Sequence, residues 1–365
     1  MRGAHVIVGL SGGVDSAVSA WLLKEQGYRV SGLFMVNWAE DEEGYCTSAE
    51  DFQSARAVAD ELGIPLHRVD FSAEYRSRVF AQFLAGYQAG KTPNPDVLCN
   101  REVKFQPFRE HALRLGADFV ATGHYARIEH RDDGPHLLRS ADENKDQTYF
   151  LSAVAREHFE RVLFPLGALT KPEVRALATR AGLPNHQRKD STGICFIGER
   201  EFSAFLSQYL QPNPGTIEDD AGRVVGTHRG LMFHTLGQRR GLAIGGQSGA
   251  REAPWYVIAK DAARNVLIVS QDSAHPRLLS TRLSAANFHW IRQPQPLPDR
   301  LQARIRHRQI LQDCSASIAD DGSLSVQFAQ AQRAAVAGQY VALYDGEECL
   351  GSGEISDVVS QADAR

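Results

Sequence analysis

The chain has 365 residues, 43% hydrophobic and 23% charged, with a formal net charge of −4. That length predicts two or three domains, and that balance describes an ordinary globular protein. No window holds the long uncharged apolar run that a membrane span needs, and the whole-molecule charge does not announce a nucleic-acid partner, so local basic stripes would have to do that work.

The N-terminus runs directly from Met1 into the strand-like His5-Val6-Ile7-Val8 without a signal-peptide core or cleavage site. A cytoplasmic protein with no membrane partner is expected. From there to about residue 205, short apolar strands alternate with amphipathic helices, the pattern of an α/β parallel sheet. Residues 5–10 read as a buried strand, and residues 14–26 as a helix stopped by Gly27. Residues 29–36 are the next strand, 49–62 a helix ending at Gly63, and 66–69 a third strand. Residues 103–115 are a helix ending at Gly116, and 119–122 a fourth strand.

From about Pro212 the texture changes to short, often alternating segments at 255–259, 266–269, 301–307, 314–318, 324–328 and 340–344, separated by Gly, Asp, Asn or Pro. Asp321-Gly322 between two of them is a hairpin signal. This half reads as β-rich, with barrels or small sandwiches. Pro294-Gln295-Pro296-Leu297-Pro298 reads as a stiff connector, and there is no internal repeat.

The clearest chemical string is Ser11-Gly12-Gly13-Val14-Asp15-Ser16, directly after the first strand and opening the first helix. Glycines allow positive φ, so successive N–H groups converge on an anion, and the helix start adds unpaired donors and the positive end of its dipole. Ser11 and Ser16 add hydroxyls, and Asp15 is placed to hold magnesium against phosphates. A lone Gly-Gly at this place would be a capping turn; the six-residue string in a strand–loop–helix context is more specific. It resembles the pyrophosphate-binding loop of the N-type ATP pyrophosphatases. Two decoys fail. No G-x-G-x-x-G dinucleotide pattern is present, and Gly86 to Thr92 is one residue short of a Walker loop, with Pro93 blocking the helix that should follow. Lys91 therefore reads as a surface residue.

The five cysteines, Cys46, Cys99, Cys195, Cys314 and Cys349, are odd in number and widely spaced, with no C-x-x-C pair. Neither a disulfide framework nor a zinc site is expected, leaving core filler or reactive thiols. Cys99 follows Pro93-Asn94-Pro95-Asp96, a stiffened loop, and falls near the predicted start of the helix over 103–115, where positive potential lowers a thiol pKa. Asp96 is within reach of the same place. On these residues alone, a buried cysteine beside an N-capping Asp fits equally well. Cys195, in Asp190-Ser191-Thr192-Gly193-Ile194-Cys195-Phe196-Ile197-Gly198, taken alone reads more readily as a short buried strand than as a thiol on a moving loop. Cys46, Cys314 and Cys349 lack polar or cationic company and read as structural.

Together these strings resemble the bacterial tRNA-specific 2-thiouridylase family over nearly the whole chain. Further matching segments are Gly32-Leu33-Phe34-Met35, Ala121-Thr122-Gly123-His124-Tyr125-Ala126, Lys145-Asp146-Gln147-Thr148-Tyr149-Phe150-Leu151 and His234-Thr235-Leu236-Gly237-Gln238-Arg239-Arg240-Gly241-Leu242. The resemblance implies a Rossmann-like ATP-pyrophosphatase domain over residues 1–208, a small central domain over 209–278 and a tRNA-contacting β-barrel over 279–365. It implies ATP-dependent 2-thiolation of the wobble uridine, with ATP and Mg2+ as cofactors. ATP would bind at Gly9, Leu10, Ser11, Gly12, Gly13, Val14, Asp15 and Ser16, with Met35 and Gly123 near the nucleoside. Asn94, Pro95 and Asp96 would face the target base, and Lys145, Asp146 and Gln147 would contact tRNA. Cys195 would carry a persulfide delivered by a sulfur-relay protein to a monomeric enzyme. Cys99 would be the second catalytic cysteine, able to take Cys195 into a disulfide, and Asp96 a general base or orienting group. The acceptors would be tRNAs for Lys, Glu and Gln. The family's Arg-Tyr contact falls at Arg306-His307, a departure that leaves a smaller stacking surface.

Arg304, Arg306 and Arg308 recur at every second position, so in a strand they would share one face suited to phosphates, or simply form a solvated barrel face. Arg239-Arg240 and Arg188-Lys189 are weaker versions. Two rivals stand beside this reading. Another ATP pyrophosphatase would explain the Ser11 loop but not the cysteines, and a non-catalytic RNA-binding module would tolerate loss of Asp15 and Cys195.

Overall fold

The computed structural model describes residues 3–38, 47–190, 205–244 and 253–363. Its first part is β1 (His5–Gly9), α1 (Val14–Glu25), β2 (Arg29–Val36), α2 (Thr47–Leu62) and β3 (Leu66–Asp70). A helical stretch follows, made of α3 (Ser72–Tyr75), a π-helical turn Arg76–Phe80 and α4 (Ala81–Gln88). Next come α5 (Pro95–Cys99), a π-helical segment Asn100–Phe108, α6 (Arg109–Arg114) and β4 (Phe119–Ala121). The hairpin β5 (Ala126–Arg131) and β6 (Gly134–Arg139), α7 (Thr148–Leu151), β7 (Val162–Leu163) and α8 (Lys171–Arg180) complete it. The five parallel strands are ordered β3-β2-β1-β4-β7.

β1 is buried on both faces, which is why it reads as an unbroken apolar run. Val6, Val8 and Leu10 pack with Ala17 and Val18 of α1, Val58 of α2 and Val174 of α8. Ile7 points the other way, into a cluster with Val79, Phe83, Cys99 and Val103. From β1 the chain first builds outward through β2 and β3, then crosses to β4. The carboxyl ends of β1 and β4 therefore flank the point where strand order reverses, where open α/β sheets hold ligands.

The second part pairs β8 (Gly215–Asp219), β9 (Val224–His228), β10 (Tyr256–Asp261) and β11 (Val266–Ser270) in the order β10-β11-β8-β9. The third comprises β12 (Leu279–Trp290), β13 (Leu301–Arg304), β14 (Gln312–Ile318), β15 (Leu324–Arg333), β16 (Tyr340–Asp345) and β17 (Glu348–Ser360). Pairing of β12 with both β15 and β17 closes these six strands into a barrel around Leu283, Ala303, Val326, Val341 and Leu343. The Asp321-Gly322 turn joins β14 to β15, with Gly322 at φ 79°. The hairpin β5–β6, from the N-terminal part, extends the barrel sheet through Glu348 opposite Leu138, so the strands do not sort by chain position alone.

Two local expectations are corrected. The helix expected over 103–115 begins at Pro95, because Pro at the first helical position suits the free helix start, and Asn94 accepts the Val97 N–H at 3.3 Å as its cap. Pro107, which lacks an N–H, lies within the π-helical stretch rather than ending the helix. The strand expected over 301–307 ends at Arg304, and Arg308 has a positive φ of 63°. The arginines at 304, 306 and 308 therefore do not share a strand face.

Arg304 is instead buried beneath the barrel. Its Nη1 donates to Asp146 Oδ2 at 2.9 Å, with side-chain exposures of 3% and 0%. Asp146 also accepts the Ser140 N–H at 3.0 Å and the Thr148 hydroxyl at 2.8 Å. Removing one partner strands a buried charge, so Arg304→Leu is expected to destabilise the chain by about 3–5 kcal/mol. Urea unfolding checks this; an unchanged midpoint would contradict it.

Candidate active site

The sheet hydrogen bonding of β1 ends with Leu10 N donating to Leu33 O at 3.0 Å, and the chain then turns through Ser11, Gly12 and Gly13 into α1. Gly12 has φ 82°, and a Cβ there would lie 2.3 Å from Asp51 O, so only glycine fits. No side chain caps the first turn of α1, whose N-cap is Gly13. Ser16 Oγ accepts the Ser11 N–H at 3.2 Å and donates to Gly13 O at 3.0 Å, which folds the loop into a concave turn around the helix start. Gly123, just past β4, closes the other wall: a Cβ there would stand 2.8 Å from Ser16 N. Leu10 and Val14 are core residues that offer this cradle only their backbone, and Met35 is half-buried on β2.

A charge cluster stands at the same helix start. Asp15 Oδ1 accepts both the Tyr125 hydroxyl at 2.9 Å and Lys171 Nζ at 2.7 Å. Lys171 reaches on to Asp190 Oδ1 at 2.8 Å, and Asp190 also takes Arg175 Nη2 at 2.6 Å and Lys145 Nζ at 2.7 Å. Burial alone would raise the Asp190 carboxyl, but the Lys145 and Lys171 ammonium groups hold it well below the usual carboxylate range. A carboxyl shifted this way contributes its pairing fully above its unfolded pKa and loses it only on strong acidification. Burial, then the neighbouring Asp15, push the Tyr125 hydroxyl up, so it remains a proton donor.

Lys145, Lys171 and Arg175 thus converge on Asp15 and Asp190 beside an uncapped helix start, with Asp142 accepting the Lys171 N–H at 2.9 Å. Such a place attracts a polyanion. Lys171, only 12% exposed, is the first residue of α8. Nothing in the sequence linked it to Ser11–Ser16. Its one warning sign is a cation in a first helical turn, which the helix dipole disfavours unless an anion compensates.

The loop carrying Asn94 and Asp96 is held by the other two parts of the chain. Thr92 N donates to Ala337 O at 2.9 Å, and Gln339 Nε2 donates to Thr92 O at 2.7 Å. Asn94 Nδ2 reaches Gln339 Oε1 at 3.3 Å, and Thr92 meets Thr235 at 3.4 Å. Lys91, read as a surface residue, is partly exposed and pairs with Glu354 at 2.6 Å. Asn94 and Asp96 are half-buried, and Pro95 is buried. Cys99 is 1% exposed and sits at the end of α5, so it lies at an inner turn of the helix rather than at its exposed start. Cys314 and Cys349 are buried free thiols, both pushed up to about 12 by burial, as structural cysteines should be. Cys195 and Cys46 lie outside the described residues.

Among the residues expected to touch tRNA, Asp146 is 1% exposed and its carboxylate is paired with Arg304. Gln147 Oε1 accepts the Tyr125 N–H at 2.9 Å, which ties that segment to the cradle wall. Arg306 is exposed, with Nη1 donating to Arg333 O at 3.0 Å. His307 packs on Phe150 with ring centroids 4.4 Å apart. Burial, then Arg308 and Arg304, push its imidazole down to about 4, so at neutral pH it is uncharged and adds no cation for phosphate. Among the described residues, no group of three His, Cys, Asp or Glu could hold a metal ion by itself. No helix among them is long and apolar enough to cross a membrane.

Three family profiles match the chain: the tRNA methyl transferase HUP domain over residues 4–199, the tRNA methyl transferase PRC-barrel domain over 203–271 and the aminomethyltransferase beta-barrel domain over 280–355. The chain is 56% identical to the tRNA-specific 2-thiouridylase MnmA of Alcanivorax borkumensis, covering 97% of each chain. It is 55% identical to the protein of the same name from Pseudomonas aeruginosa strain PAO1, over 97% of this chain and 95% of the relative. Among solved structures, the U34-tRNA thiolase NcsA of Methanococcus maripaludis is similar at 20% identity and a TM-score of 0.36, over 53% of this chain and 61% of that one. A 4-thiouridine synthetase solved with RNA and bound ATP is similar at 17% identity and a TM-score of 0.36, over 56% and 49%.

Proposed function

The chain belongs to the tRNA-specific 2-thiouridylase family, and we propose from its site how it carries out ATP-dependent thiolation of a tRNA uridine. The observation that carries the proposal is the pairing of an uncapped, glycine-built helix start with the Lys171–Asp15–Asp190 bridge. Cys195 follows Asp190 by five residues, a tether of at most about 18 Å.

In this reading the turn Gly9–Ser16 binds the ATP phosphates through backbone N–H groups and the Ser11 and Ser16 hydroxyls. Met35 and Gly123 border the nucleoside. Asp15, a single carboxylate at the cradle, would hold a magnesium ion brought in with ATP rather than a resident one, and the ion would supply screening of the phosphate charge. Lys171 leaves its bridge to meet the phosphates as they enter.

The uridine 2-oxygen attacks the α-phosphorus, pyrophosphate leaves, and the oxygen becomes part of a good leaving group. Asp96 orients the base or takes its N3 proton. The terminal sulfur of a Cys195 persulfide then attacks C2 and AMP departs with the oxygen. Cys99 thiolate attacks Cys195 Sγ, the S–S bond to the transferred sulfur breaks, and a Cys99–Cys195 disulfide forms. Cys99 is buried, so this last step requires its helix end to open once tRNA is seated. The partners are a persulfide-donating relay protein and the tRNAs for Lys, Glu and Gln, modified at the wobble position by a monomer. The target base must be flipped from its stack to reach the cradle.

Methyl transfer, the chemistry named in the profile descriptions, would leave the Cys99 and Cys195 strings without a role. Purified protein given unmodified tRNA, ATP, magnesium and a persulfide donor should yield AMP, pyrophosphate and a nucleoside heavier by the exchange of oxygen for sulfur. ADP as product, or no mass gain, would overturn the reading.

Arg306, exposed on the barrel turn, is the proposed phosphate contact. Arg306→Ala is expected to weaken tRNA binding and to lower the salt slope by about 1. Affinity titrations at several salt concentrations check this; an unchanged slope removes Arg306 from the interface.

A further inference from the structure

We infer that Asn185 and Ser54, which stand outside the phosphate cradle, are positioning residues that preset its backbone for ATP by holding the Gly12 carbonyl. Three side-chain donors converge on this one oxygen: Ser54 Oγ at 2.8 Å, Asn185 Nδ2 at 2.8 Å and Arg188 Nη1 at 3.2 Å. A carbonyl oxygen has two lone pairs, so the two shorter contacts saturate it. The longer third comes from a guanidinium already committed to Asp51. Ser54 lies on α2 and Asn185 in the turn after α8, so two elements distant in sequence meet on one peptide group.

The consequence follows from peptide geometry. In a planar trans peptide the carbonyl and the next N–H point in opposite directions. Pulling Gly12 O toward α2 and residue 185 therefore aims the Gly13 N–H the other way, into the turn, where it donates to Ser11 Oγ at 3.4 Å. Gly12, at φ 82°, has no side chain to oppose a peptide flip, so an unclamped loop would sample both orientations. The clamp removes that freedom before ATP arrives, which lowers the entropy lost on binding.

Asn185 carries a sign that it serves this purpose rather than stability. It is 7% exposed, and its Oδ1 has no hydrogen-bond partner. A buried amide with one end unsatisfied costs the fold free energy that an apolar side chain of similar size would not. Its Nδ2 bond to Gly12 O is what the residue offers in return.

The inference rests on the ATP reading of the cradle, and the test separates the two. Pyrophosphate release would be measured against ATP concentration with saturating unmodified tRNA, alongside thermal unfolding with and without ATP. Asn185→Leu is expected to leave the ATP-free melting temperature unchanged or higher, to raise KM for ATP about tenfold and to shrink the ATP-induced stabilisation. Asn185→Asp, which faces the carbonyl with an acceptor, should raise KM for ATP by at least as much. Ser54→Ala, on the helix surface, should raise KM for ATP about threefold, with Ser54→Thr restoring it. KM for tRNA should stay within about twofold throughout. Wild-type protein that releases pyrophosphate while these variants match its KM for ATP would overturn the clamp alone. Wild-type protein that releases none would overturn the ATP reading and the clamp with it.

Discussion

Cys195→Ser is expected to stop sulfur transfer to tRNA while ATP-dependent pyrophosphate release continues. A serine oxygen cannot carry the terminal sulfur, so no persulfide forms and C2 of the activated uridine meets no sulfur nucleophile. The adenylation half is proposed to use other groups: the Ser11–Ser16 turn, Asp15 and Lys171. Loss of thiolation should exceed about a thousandfold, the usual consequence of deleting a covalent nucleophile. Nucleoside mass analysis and a pyrophosphate assay on the same sample read both halves. Thiolation at an undiminished rate would remove Cys195 from the reaction.

Lys171→Met should have the opposite signature. Met keeps the length of the side chain but removes the ammonium that joins Asp15 to Asp190 across 2.7 and 2.8 Å. Two carboxylates would then face the incoming triphosphate with one fewer cation between them. Loss of a preorganised charge beside developing phosphate charge typically costs about a hundredfold or more in rate. Pyrophosphate release should fall by that order while tRNA affinity changes little, and Lys171→Arg should recover part of it. A rate within a few-fold of wild type would show that Lys171 only braces the resting site.

The parts of this architecture that were legible in the sequence are the local ones. β1, the glycine turn and α1 were readable because a buried parallel strand, positive-φ glycines and a helix start each leave marks within a few residues. Residues 29–36 and the Asp321-Gly322 turn were read correctly for the same reason. Pro93 and Pro95 suggested a stiff loop, but the second of them opens the helix, a reading that the capping Asn94 would have supported. Arg304 misled because alternation assigns a face only while the strand lasts, and β13 ends there. Lys171 and Asp15 are 156 residues apart, and Asn185 and Gly12 are 173 apart, so no local pattern could have joined them. The β5–β6 hairpin likewise joins the barrel only through tertiary pairing.

All of the chemistry assigned to this chain requires the uridine oxygen to leave as part of AMP. Transfer RNA labelled with heavy oxygen at O2 of the target uridine, thiolated by the wild-type protein, makes that oxygen traceable. Label recovered in the phosphate of AMP is the predicted result. Unlabelled AMP beside fully thiolated tRNA would contradict activation of the base through this phosphate cradle.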